Sequence, residues 1–174
     1  MVDGFIHDEL GKLSFVSTAK FRSSVAWPEE DVRGVVSPSD APYGLKVSRN
    51  ADQIMFELTE PGGTKSGLIS VALPSQYVHF YTDTREQKHE FVNGPALYHE
   101  WRFEGPVALK GIFAATTKTA KAWLILHGRG NRCVSADSFH AWMLTVEGRD
   151  VNFTLLGRFK QVGVTQEQEA PARK

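Results

Sequence analysis

The sequence predicts an all-β domain: a single antiparallel β-barrel or a β-sandwich of about eight to ten short strands, with at most one or two short helices. Three observations carry that prediction. Apolar and polar residues alternate with a period of two in segment after segment. Turn-forming residues recur roughly every ten positions. No strand–helix–strand alternation exists that would build a parallel sheet.

The strongest alternation lies at 13–27, LSFVSTAKFRSSVAW, with Leu13, Phe15, Ala19, Phe21, Val25 and Trp27 on one face and mostly polar residues on the other. It reads as a half-buried strand, or two strands bent at the serine pairs. Pro28 ends it, because proline brings no N–H to a ladder. Ile54, Phe56 and Leu58 then alternate against Met55, Glu57 and Thr59, Pro61-Gly62-Gly63 turns the chain, and 68–73 returns. Further strands are expected at 77–81, at 97–103 up to a break at Gly105-Pro106, and at 120–127, 139–146 and 151–159. Glu147-Gly148-Arg149-Asp150 is a hairpin turn.

Helical signals are few. Trp27–Asp31 could open one turn, and Asp83-Thr84-Arg85-Glu86 has capping-box spacing for a short helix to about Phe91. Two long alternating segments, each needing a curved neighbour, favour a calycin-like barrel over a sandwich. Residues 1–164 are expected to form one β-rich domain and 165–174, TQEQEAPARK, a disordered tail without an apolar anchor.

Composition narrows the function. With 174 residues the chain is long enough to bury a core, and 41% hydrophobic with 23% charged residues is that of a soluble globular protein. Twenty basic residues balance twenty acidic ones, so no global field steers it to nucleic acid or an anionic membrane. Cys133 is the only cysteine, which excludes an internal disulfide and a cysteine-rich zinc site. MVDGFIHDEL lacks the charge and apolar pattern of a signal peptide, and no apolar run approaches a membrane span, so a cytoplasmic chain is expected.

The stretch AKAWLILHGRGNR, 120–132, first suggests a reactive loop. Its His-Gly after an apolar strand is similar to the oxyanion loop of α/β-hydrolases, but no G-x-S-x-G elbow accompanies it: Gly63 and Gly67 have Lys65 between them. A dinucleotide fingerprint fails at Cys133, and Gly-Arg-Gly-Asn has no P-loop lysine. What remains is a strand running out into an irregular connection whose Arg129 and Arg132 could hold an anion. Cations beside aromatics at Lys20-Phe21-Arg22 and Arg158-Phe159-Lys160 fall on opposite strand faces, which argues against a base-stacking surface.

Histidine supplies the remaining chemistry. There is no H-x-H pair and no H-E-x-x-H, so neither a metal nor a cofactor is implied. His99 shares a strand face with Trp101, His127 with Trp123, and His140 with Trp142; His79 lies between Tyr77 and Tyr81. If those faces point inward, the three histidines and three tryptophans line one cavity and bind a partly apolar or aromatic molecule. The other face of 97–103 carries Tyr98, Glu100 and Arg102, a carboxylate held by a guanidinium. The candidate catalytic residues are therefore His99, His127 and Glu100. The candidate ligand contacts are Tyr98, Trp101, Arg102, Trp123, Arg129, Arg132, His140 and Trp142.

The leading expectation is small-molecule binding inside the barrel. The alternatives are a cofactor-free lyase, cyclase or isomerase with a histidine acid/base, and an interaction or assembly protein: a homo-oligomer, a jelly-roll capsid-like domain or a carbohydrate binder.

Overall fold

The computed structural model describes residues 4–21, 41–50, 52–73, 77–83, 97–115, 119–130 and 135–160. They form one helix, α1 (Gly4–Lys12), a 3-10 turn (Ala136–Ser138) and nine strands. The strands are β1 (Phe15–Phe21), β2 (Tyr43–Arg49), β3 (Gln53–Thr59), β4 (Ser66–Ala72), β5 (Val78–Asp83), β6 (Leu97–Gly111), β7 (Ala120–Gly130), β8 (Phe139–Gly148) and β9 (Asn152–Phe159). The helices expected at 27–31 and 84–91 and the tail at 165–174 lie outside the described residues.

All pairings are antiparallel, in the order β4-β3-β2-β1-β9-β8-β7-β6, and β4 pairs back onto β6 to close an eight-stranded barrel. β5 stands outside the closure, paired with β6. The fold is thus the all-β barrel that alternation predicted. β6 serves two partners along its length: Leu97–Arg102 face β5, and Val107–Gly111 face β4. The break expected at Gly105-Pro106 is absent. Pro106 falls in the four residues that pair with neither β5 nor β4, where a missing N–H costs nothing on that edge.

The interior is filled by alternate residues: Ile54, Phe56 and Leu58 from β3, Trp101 and Phe103 from β6, Leu124 and Leu126 from β7, Trp142 and Leu144 from β8, and Leu155 from β9, each at most 3% exposed. Phe15 meets Phe56, Trp142 and Phe159 with ring centroids 4.9–5.9 Å apart, so aromatic rings span the barrel at this level. The indole N–H groups of Trp101 and Trp142 are buried there without a hydrogen-bond partner among the described residues.

The helix α1 lies outside what alternation reveals. Ile6 and Leu10, one turn apart, are 1% and 6% exposed and pack into the core. Glu9, also buried, accepts the Ala136 N–H at 2.8 Å and pairs with Lys12, tying the helix to the 3-10 turn.

Candidate functional site

The histidine–tryptophan faces divide between the two sides of the barrel wall. On β6 the condition of an inward face is met: His99, Trp101 and Phe103 are buried inside, with His99 stacked on Phe139 (centroids 4.5 Å apart) and its Nε2 2.5 Å from Ser138 Oγ. On β7 the small and branched set Ala122, Leu124 and Leu126 points inward, leaving Trp123, Ile125 and His127 half-buried on the outer wall. The inner positions face a volume already crowded by Trp101, Trp142 and Phe56, which favours alanine and leucine there. On β8 Trp142 is inside, but His140 is exposed on the outside. The register shifts between His127 and Gly128, whose partners are Ala141 and Phe139, so His140 is the extra residue of a β-bulge.

The same bulge explains His-Gly. Gly130, Arg129 and Gly128 are not a connecting loop; they pair with Leu97, Tyr98 and His99 as the last rungs of β7. A Cβ on Gly128 would lie 1.9 Å from the Ser138 carbonyl oxygen, so glycine is required where the chain crosses at close range. The Arg129 side chain and all of Arg132 lie outside the described residues.

The outer wall therefore gathers its own polar cluster. Glu100 and His127 are directly opposite one another on β6 and β7. The Glu100 carboxylate accepts the Tyr98 hydroxyl on one oxygen and is held on the other by Arg102, with Nε at 2.6 Å. Tyr98 lies against His127, centroids 6.2 Å apart. Burial pushes the His127 pKa down, the neighbouring Glu100 charge opposes that, and His140 adds to it; the imidazole is neutral near pH 7. Exposed Val78 and Phe80 on β5 border the cluster opposite Arg102 and Glu100. Glu100 is thus held by Tyr98 and Arg102, with His127 directly opposite it on β7.

A different set of residues forms a cavity. At one end of the barrel, Leu10, Phe15, Ile54 and Leu126 leave about 120 Å³ beneath α1. At the opposite end a hollow of about 340 Å³ opens, walled by Phe21, Tyr43, Phe113 and Phe153, with Glu60 and Asp150 contributing carboxylates. Phe21 meets Tyr43 and Phe153 edge to face at 5.0 and 5.7 Å, and Phe113 packs on Phe153 at 5.3 Å. These aromatics lie at the end of β1, the start of β2, just past β6 and at the start of β9, so the mouth is assembled from strand ends. Alternation places Phe21 on an apolar strand face and singles out none of Tyr43, Phe113 and Phe153. The available signal is an aromatic at strand termini beside turns; Phe113 itself is buried, and Phe21, Tyr43 and Phe153 pack against the core.

An antiparallel barrel with a helix over one end and an aromatic mouth at the other is the class of architecture these residues define. The chain matches no protein-family model, no curated protein and no solved structure. Among the described residues no helix is long and apolar enough to cross a membrane, and no three His, Cys, Asp or Glu side chains could together hold a metal ion.

Proposed function

We propose that the protein binds a small, partly apolar molecule at the open mouth of the barrel. One observation carries this reading: the hollow of about 340 Å³ ringed by four aromatic side chains. Its size falls in the range of about 300–1,000 Å³ typical of small-molecule pockets, and its lining combines four aromatic rings with polar groups, the Glu60 and Asp150 carboxylates among them. The space beneath α1, about 120 Å³, is too small for most such ligands.

The experiment is a saturation-transfer NMR screen of aromatic and lipid-like compounds, run on the wild-type chain and on Ala114→Trp. Ala114 lines the mouth and is exposed, so an indole there obstructs the hollow without entering the core. Compounds that bind the wild type and are lost in the variant support the mouth; equal binding to both refutes it.

A second reading, acid–base catalysis at the outer wall, is favoured by the neutral, half-buried His127 beside Glu100 and Tyr98. It requires a pH–rate profile with a limb below neutrality that disappears in His127→Gln.

A further inference from the structure

We infer that the mouth selects an organic cation, a quaternary ammonium or alkylated amine, over a neutral molecule of the same shape. The inference rests on the mouth being the binding site, and adds the charge of its occupant. Aromatic faces carry the negative lobe of the ring quadrupole and attract a cation within about 6 Å of the centroid. Four rings bound this hollow, and Phe21 stands at 80° to Tyr43 and 73° to Phe153, so ring faces are turned in more than one direction.

The charged groups agree in sign. Glu60 lines the hollow, is half-buried, and forms no ion pair among the described residues. Asp150 adds a second carboxylate at the rim, and no Lys, Arg or His is among the described lining residues. A cationic ligand in the hollow would offset the Glu60 charge while its alkyl groups lie against the rings. An anionic ligand would meet the Glu60 carboxylate with no cationic side chain among the described lining residues. An alkylated ammonium suits the hollow better than a metal ion, because its methyl groups bury apolar area against the rings while its charge stays spread over them.

The test is a pair of matched probes, choline and its neutral isostere 3,3-dimethylbutan-1-ol, titrated into the full chain at constant ionic strength. Backbone amide shifts of Ala114 and Val151 report the mouth. The expected result is a preference of about tenfold for choline, consistent with cation–π and carboxylate attraction together. Glu60→Gln should reduce choline affinity severalfold and leave the alcohol unchanged. Tyr43→Leu, which keeps an apolar side chain but removes a ring, should do the same and covers the case in which the Glu60 variant fails to fold. If the alcohol binds as tightly as choline, the cation inference is overturned and the mouth stands. If neither probe moves the mouth resonances, while other compounds in the screen still bind there, the charge inference alone fails; if nothing binds there, both fail.

Discussion

Gly157→Ala is the sharpest test of how the barrel interior is packed. Gly157 on β9 is directly opposite Trp142 on β8, and the indole lies over the glycine. A Cβ at position 157 would stand 2.4, 2.5 and 2.7 Å from Trp142 Cζ2, Cε2 and Nε1. Favourable carbon contacts begin near about 3.5 Å, so the overlap is about 1 Å and the ring has to move by a similar distance. It has little room: Trp142 is fully buried, with Phe56 and Phe15 at centroid distances of 5.3 and 5.8 Å. Overpacking of this kind costs about 1–3 kcal/mol, and a rigid ring between two others puts Gly157→Ala near the upper end. For a chain of this size that lowers Tm by about 6–12 °C. Urea unfolding followed by far-UV circular dichroism reads the loss without relying on tryptophan emission. Trp142→Phe supplies the control, since it removes the atoms the new methyl would strike. The double variant should be more stable than the sum of the single losses by at least about 1 kcal/mol. A loss below about 0.5 kcal/mol for Gly157→Ala, or an additive cycle, would refute the packing argument.

The remaining predictions concern the helix and the outer wall. Glu9→Ala leaves the buried Ala136 N–H without its 2.8 Å acceptor and should cost about 1–3 kcal/mol, whereas Glu9→Gln keeps an acceptor and should cost clearly less; equal losses would show that the tie from α1 does not depend on that bond. His127 has its pKa lowered from the ordinary 6.5, so the unfolded chain binds the proton more readily than the folded one. The stability associated with the neutral imidazole is complete above 6.5 and is lost as pH falls through the lowered folded value. Unfolding midpoints measured from about pH 7.5 to 5 should therefore decline more steeply for the wild type than for His127→Gln, and parallel curves would contradict the burial of His127.

Where one strand face is clearly more apolar than the other, the sequence determines direction. Phe56 between Met55 and Glu57, and Trp101 between Glu100 and Arg102, are examples, and both lie inside the barrel. β7 gives no such contrast, since Ala122, Leu124 and Leu126 alternate with Trp123 and Ile125, apolar on both sides. What decides there is volume inside the barrel, a property of seven other strands. His140 fails for a different reason: a single bulged residue reverses the pattern, at the point where Ser138 lies close to Gly128 of the neighbouring strand. The strand β2 carries little signal in the sequence because its apolar face is short, only Leu45 and Val47 after Tyr43. The helix α1 is hard to read from sequence because nine residues with only Ile6 and Leu10 on the buried apolar face give too short a pattern to separate helix from strand.

Those failures bear on function in one direction. A reading that seeks a pocket by hydrophobic pattern is drawn to the richest alternating faces, and in a barrel of eight strands those faces pack against one another. Trp101 and Trp142 are fully buried because they fill the space in which a ligand was expected. Room for a ligand survives where the strands stop interlocking, at the ends. One end is occupied by Ile6 and Leu10 of α1, whose burial leaves little behind it. At the other, Phe21, Tyr43, Phe113 and Phe153 continue the aromatic lining beyond the level at which opposite walls meet. An aromatic ring at that height gains less from core packing than one placed deeper, because part of its surface faces the hollow. Four of them beside Glu60 leave the larger of the two hollows at this end, although Phe113 is buried and the other three still pack against the core.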